Sequence, residues 1–367
     1  MDDRITPVTM PKWGLSMKTG RITDWLAAPG DEVAEGDGLA EIDTDKIAGT
    51  LEAPAGGVLR AIVAEAGGDA PVGCAVALLA PGDVPQEEIA AAVAEARELL
   101  ARGQPAEPDG TGPATGAVDV AGRSLAYATE GDGPETVVLV HGFGGDKDSW
   151  LFVRTPLAAR HTVYALDLPG HGDSVKDVGD GGLVVLADAV TGFLDVLGLD
   201  RVHLVGHSLG GAVAGAVAGQ VPGRVRSLTL VAPAGYGPEL DSGYLRGFAG
   251  ARTRRELKPH LAKLFADGDR VTRQLVDDLL RYKRLDGVAE ALAALVPTVE
   301  ALDLARTPLD VPLRVVWGGA DRVIPASNRR SLEGRAREVR VVEGAGHMVH
   351  MEAPGEVTQL IERAVTG

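Results

Sequence analysis

The chain has 367 residues, 45% of them apolar and 24% charged, and carries a net charge of −16 at neutral pH. That length accommodates two or three domains at roughly 150 residues each, and the apolar share is that of a globular protein with a sizeable core. The negative balance argues against nucleic acid and against an anionic membrane as partners.

The first residues, Met1-Asp2-Asp3-Arg4, are polar and acidic and do not read as a secretory signal. The longest apolar runs, such as 210–221, fall well short of the roughly 18 residues that a membrane span needs. The single cysteine, Cys74, excludes an internal disulfide and fits a reducing cytoplasm; its alternation with Val76 marks it as a small core residue.

An internal repeat occupies the first eighty residues. The stretch from Gly20 to Asp31 reads like that from Gly57 to Asp69, Gly36 matches Gly73, and Leu39-Ala-Glu-Ile42 matches Val76-Ala-Leu-Leu79. Each copy alternates apolar and polar residues between Gly-Asp turns, which predicts short strands. Neither copy can bury a core alone, so the two are expected to pack as halves of an all-β sandwich with two-fold symmetry, spanning 1–80. Between them lies Glu41-Ile-Asp-Thr-Asp-Lys46-Ile-Ala-Gly49, and the symmetry puts Lys46 near the tip of a hairpin. Residues 81–116 read as a linker. Pro85, an alanine-rich amphipathic run and Gly103 define one helix, and the Pro/Gly-rich stretch 104–116 is expected to be mobile.

From Ala117 to Gly367 the pattern changes. Short apolar runs at 136–140, 162–166, 202–205, 227–231, 313–317 and 339–342 alternate with helical stretches, which predicts a mostly parallel sheet with helices on both faces. A long helical insertion, at about 236–305, interrupts this alternation.

The strongest local signal is Gly206-His-Ser208-Leu-Gly210, set between a predicted strand and a predicted helix, as a nucleophile elbow requires. A serine hydroxyl is a poor nucleophile until a base takes its proton and an acid orients that base. Both follow in the order Ser, Asp, His. Asp321 lies in Trp317-Gly-Gly-Ala-Asp321, just past a strand, and His347 in Gly344-Ala-Gly-His347, just past the next. His350 is a lesser rival, suited to a supporting or helix-start position. The turn His141-Gly-Phe143-Gly-Gly145 frees the Phe143 N–H to pair with that of Leu209 as an oxyanion hole. The loop Asp167–Ser174 reads as structural, as do His161, His203 and His260. No metal-ligand spacing and no phosphate-binding loop occurs.

These residues carry two resemblances. Met10-Pro-Lys-Trp-Gly-Leu-Ser-Met17, Asp45-Lys46-Ile47 and Glu52-Ala-Pro-Ala-Gly-Gly57 make residues 5–80 similar to a lipoyl domain; biotin carriers usually flank their lysine with Met. Residues 117–367 resemble α/β-hydrolase-fold enzymes with a helical cap. The fusion resembles the acyltransferase components of acetoin dehydrogenase complexes. It lacks the H-x-x-x-D-G motif and the subunit-binding domain of most 2-oxo acid dehydrogenase acyltransferases.

The resemblance implies lipoate on Lys46, coenzyme A as co-substrate, and two kinds of partner: thiamine-diphosphate-dependent acetoin dehydrogenase subunits and a lipoamide dehydrogenase. It implies acetyl transfer to coenzyme A, through an acyl-Ser208 or directly between thiols with His347 as base. Three other readings stay open from sequence: a serine hydrolase with an attached lipoyl docking domain, a non-catalytic carrier, and water in place of coenzyme A as acceptor. Between Arg246 and Arg284 stand eleven Lys and Arg against five Asp and Glu. Residues 1–80, by contrast, hold thirteen acidic and six basic residues. The cap is therefore expected to present a basic face to coenzyme A and to the lipoyl domain through Arg252, Arg254, Arg255 and Lys258.

Overall fold

A computed structural model describes residues 4–11, 19–44, 48–103 and 113–367. The chain forms two compact units, one of Met1–Gly112 with Arg270–Leu275 and the other of Pro113–Asp269 with Val276–Gly367.

In the first unit, β1 (Thr6–Thr9), β2 (Thr19–Trp25), β3 (Glu32–Val33) and β4 (Gly38–Thr44) are followed by β5 (Ala48–Glu52), β6 (Gly57–Ile62), β7 (Asp69–Pro71) and β8 (Ala75–Ala80). They make two four-stranded sheets, ordered β1-β8-β6-β3 and β5-β4-β2-β7, and every pairing is antiparallel. Advancing each of β1 to β4 by four strands turns one sheet into the other, which is the two-fold repeat of the sequence. The hydrogen bonds repeat as well: Leu59 N–H donates to Asp31 O at 2.9 Å, and Ile22 N–H to Gly68 O at 3.0 Å. Each half thus closes the other's ladder. Cys74, Leu39, Ile22 and Leu59 are fully buried. Residues 45–47, and with them Lys46, lie outside the described residues. On either side of them β4 and β5 pair with Asp43 opposite Ala48.

The helix expected as a linker is α1 (Gln86–Arg102), closed by Gly103 in a left-handed conformation. It is no free strut. Ile89, Ala92 and Ala96 are buried in one cluster with Ile5, Val63, Leu78 and Val84, so the first unit continues past residue 80. An amphipathic helix with a ready apolar sheet face gains more from burial than from standing in water. Residues 104–112 of the expected mobile stretch lie outside the described residues.

The second unit carries an eight-stranded sheet: β9 (Ala114–Val120), β10 (Arg123–Glu130), β11 (Thr136–Val140), β12 (Thr162–Leu166), β13 (Val202–His207), β14 (Val225–Val231), β15 (Leu313–Gly318) and β16 (Glu338–Val342). Its order is β16-β15-β14-β13-β11-β12-β10-β9. From β12 to β16 the strands are parallel, whereas β10 runs antiparallel to β12 and to β9. The α2 helix (Leu151–Ala158), with α10 (Pro354–Thr366), covers Val137, Leu139 and Val163 on one face. On the other face α3 (Leu183–Val196) packs on α4 (Leu209–Gln220). Strands covered on both faces read as continuous apolar runs, which is why β11 and β12 begin and end where the sequence predicts. The β9–β10 hairpin escapes that reading, because β9 alternates exposed and half-buried residues and starts at Ala114, inside the expected linker.

Between β14 and β15 run α5 (Ser242–Gly250), α6 (Arg254–Leu261), α7 (Arg273–Tyr282) and α8 (Val288–Ala301), which form the cap; α9 (Val349–Glu352) precedes α10. No described helix is long and apolar enough to cross a membrane.

Candidate active site

Parallel strands deliver the predicted site residues to one edge of the sheet. Phe143 follows β11, Ser208 follows β13, Asp321 follows β15 and His347 follows β16, each just past the carboxyl end of its strand. That is where sites collect in open α/β sheets.

Ser208 sits at φ +53°, ψ −118° between β13 and α4. For a residue with a Cβ this is a strained backbone. Its neighbours hold it: Ser208 N–H donates to Val231 O at 3.0 Å, and Ser208 O accepts from Gly211 N–H at 2.9 Å and Ala234 N–H at 3.0 Å. Gly210 is obligatory, because a Cβ there would lie 2.3 Å from the Val140 carbonyl oxygen.

His347 Nδ1 donates to Asp321 Oδ2 at 2.8 Å. The other carboxylate oxygen, Oδ1, accepts from Val323 N–H at 2.8 Å and Ile324 N–H at 2.9 Å. The carboxylate is thereby fixed, the imidazole carries its proton on Nδ1, and Nε2 is left with a lone pair. Asp321 and His347 are both buried. His207, the residue before the serine, donates from Nε2 to the His347 carbonyl oxygen at 3.0 Å, which ties the histidine loop to the elbow.

The Phe143 turn passes directly over the serine: a Cβ built on Gly142 would lie 2.9 Å from Ser208 Cβ. Gly144 N–H donates to His171 Nε2 at 3.0 Å, and Gly145 N–H to Gly142 O at 3.1 Å. Among the described residues neither Phe143 N–H nor Leu209 N–H has a protein acceptor. Two donors left open beside a serine are the chemistry an oxyanion needs.

Two histidines hold this turn. His141 donates from Nδ1 to Gly142 O at 2.8 Å and accepts at Nε2 from Leu168 N–H at 3.0 Å. His171 donates from Nδ1 to Pro169 O at 3.1 Å while its Nε2 takes Gly144. Each ring is both donor and acceptor, which requires the neutral form. Burial pushes the His171 imidazole down to about 3, and a proton on the neighbouring His141 would lower it further. The loop that supplies His171 is itself anchored by Asp167, which accepts from Lys147 N–H at 2.6 Å, Lys147 Nζ at 3.1 Å and Asp173 N–H at 2.8 Å. The structural reading of Asp167–Ser174 therefore acquires a purpose: it buttresses the Phe143 turn.

Sequence reasoning also missed Glu352, whose carboxylate accepts from Gly346 N–H at 2.7 Å and Ala266 N–H at 2.9 Å. Arg322 likewise donates to the Ala262 and Phe265 carbonyls. Together they fasten the Asp321 and His347 loops to the cap. The one signal for either is its place beside a triad candidate. From α5, Phe248 lays its ring against Phe143, centroids 5.8 Å apart.

His350 is fully buried, with its ring 4.6 Å from Trp150 and 4.4 Å from His207. Neither of its nitrogens has a hydrogen-bond partner. Burial pushes it down to about 3, and a proton on His347 would lower it further. An unfolded histidine takes its proton near 6.5, so between these two values the unfolded chain binds more protons than the folded one. Stability from this group is complete above about pH 6.5 and is lost as pH falls toward 3. His350→Phe, which keeps the stacking and removes the orphaned nitrogens, should match or exceed the wild-type melting temperature by a few degrees at pH 7. It should also flatten the loss of stability between pH 6.5 and 4. An acid slope equal to wild type in melts across that range would refute the assignment.

Comparison with known proteins covers both units. Residues 6–79 match the Biotin_lipoyl family, described as biotin-requiring enzymes, and residues 135–354 match the alpha/beta hydrolase fold family. The chain is 46% identical over 363 residues to the dihydrolipoyllysine-residue acetyltransferase component of the acetoin cleaving system of Pseudomonas putida, with 97% of each chain covered. It is 43% identical to the protein of the same description from Cupriavidus necator, over 99% of this chain and 98% of that one. Among solved structures, a membrane phospholipase A superposes with a TM-score of 0.61 at 28% identity, over 69% of this chain and 86% of that one.

Proposed function

Because the chain belongs to the family of dihydrolipoyllysine-residue acetyltransferase components of acetoin cleaving systems, we propose that Ser208, His347 and Asp321 carry an acetyl group from a lipoyl-lysine thioester to coenzyme A. The observation that carries this reading is the Asp321–His347 hydrogen bond beside a serine on a strained elbow, with two open N–H groups beneath the Phe143 turn. The lipoyl family match implies covalent lipoate on a lysine, and we assign it to Lys46. The strands flanking residues 45–47 pair as a hairpin would require. When attached, the group supplies a thiol that holds the acetyl group as a thioester.

The chain's own residues account for each step. His347 Nε2 takes the Ser208 proton as Oγ attacks the thioester carbonyl, and the Asp321 carboxylate stabilises the imidazolium. The N–H groups of Phe143 and Leu209 hold the oxyanion. As the carbon–sulfur bond breaks, the proton passes from His347 to the departing sulfur. His347 then deprotonates the coenzyme A thiol, which attacks the acetyl-serine, and the proton returns to Ser208. One thioester is exchanged for another, so no oxidant or energy source is consumed. The Phe248 ring over Phe143 supports exclusion of water as the means by which a thiol is favoured over hydrolysis.

Acetoin-cleaving thiamine-diphosphate subunits would load the thioester and a lipoamide dehydrogenase would reoxidise the dithiol. A cytoplasmic setting suits a chain whose one cysteine is buried. The test is to supply acetyl-dihydrolipoamide to the full chain with and without coenzyme A and to measure acetyl-coenzyme A and free acetate together. Acetyl-coenzyme A should dominate, and little donor should be consumed without the acceptor. Acetate as the main product in both arms would make the protein a serine hydrolase.

A further inference from the structure

One surface of the second unit contradicts the acidic character of the chain. Arg252, Arg254 and Arg255, around the start of α6, and Arg281 and Arg284, at the end of α7, line a single open cavity of about 570 Å³. All five are exposed. Asp277, the one carboxylate in the lining, is held by Arg254 through both of its oxygens. Asp278 takes Arg281 at 2.6 Å from a buried position. Among the described residues no ion pair engages Arg252, Arg255 or Arg284. Lys283, next in sequence to Arg284, is buried, its ammonium donating to the Phe248 and Ala251 carbonyls. Burial and then the charge of Arg252 push that lysine down to about 8.

Like charges gathered in one concavity repel unless an anion shares it. Guanidinium forks from two helices match phosphate oxygens in a way that a single lysine does not. We propose that this arginine cavity binds the phosphate groups of coenzyme A, with Arg252, Arg255 and Arg284 as the principal contacts. The proposal rests on coenzyme A being the acceptor. It places the nucleotide on the same cap elements that roof the active site: Arg252 directly follows Ala251, and Phe248, three residues earlier, lies against Phe143. Lys258, expected from sequence to join the cluster, is not in the lining. The site is completed instead by Arg281 in the last turn of α7 and Arg284 just past it, whose convergence with α6 no local pattern announces.

The experiment compares wild type with Arg255→Glu/Arg284→Glu in the full chain. Calorimetry gives the Kd for coenzyme A and for inorganic phosphate, and kinetics give kcat/KM with coenzyme A and with pantetheine, which carries the thiol without phosphates. Loss of charged hydrogen bonds should raise the Kd for coenzyme A by about tenfold or more. The preference for coenzyme A over pantetheine should fall by a similar factor, and the salt dependence of binding should flatten. An unchanged Kd and an unchanged preference would overturn the site. So would a variant whose only defect is a higher KM for the acetylated lipoyl domain, since the arginines would then serve that acidic carrier. Inorganic phosphate binding as tightly as coenzyme A would overturn the assignment to a nucleotide. A wild type that binds coenzyme A through these arginines yet releases only acetate would support the site and refute the acceptor reading instead.

Discussion

Ser208→Ala is expected to slow acetyl transfer by about four to six powers of ten, with residual turnover from the oxyanion donors and substrate binding alone. The fold should not suffer. The strained backbone at this position is held by Val231 O, Gly211 N–H and Ala234 N–H, all of them main-chain groups that the substitution leaves in place. The serine side chain makes no cap hydrogen bond to α4. A transfer assay from acetyl-dihydrolipoamide to coenzyme A, beside a thermal melt of the same preparation, separates chemistry from stability. A mutant that transfers at near the wild-type rate would leave His347 as the sole catalyst and assign the reaction to direct exchange between thiols.

Lys46→Arg should abolish the covalent modification outright, since arginine keeps the charge but offers no amine that can be acylated. Intact-mass analysis of protein made in cells with lipoylation enzymes reads this directly. The mutant should also lose acetyl transfer loaded through its own arm, yet still use free acetyl-dihydrolipoamide, because the hydrolase-type unit is untouched. The difference between the two donors measures what tethering contributes, an effective concentration on the order of millimolar for a short link. An unmodified wild type, or one carrying biotin, would show that the lysine between β4 and β5 is not a lipoyl site.

Several features were legible in the sequence because each is written in neighbouring residues. The repeat of 20–31 at 57–69 carries its own symmetry, and two sheets related by exchange of strands follow once each half needs the other's ladder. Continuous apolar runs covered on both faces fixed the ends of β11 and β12. Gly206-His-Ser-Leu-Gly210 announced the elbow because only a glycine tolerates the 2.3 Å approach of the Val140 carbonyl at position 210.

Tertiary structure alone decided what depends on residues distant along the chain. Amphipathicity gave α1 an apolar face but did not say that β8 would cover it. The neutral states of His141 and His171 follow from carbonyl and N–H partners up to 27 residues away. Glu352 and Arg322 matter only because the cap returns to the histidine and aspartate loops. The arginine cavity needed α6 and α7 to meet, since charge counting locates a basic segment but cannot choose which of its residues share one concavity. Local pattern sets which element forms and which face is apolar; burial and hydrogen-bond satisfaction, settled between elements, decide what that face meets.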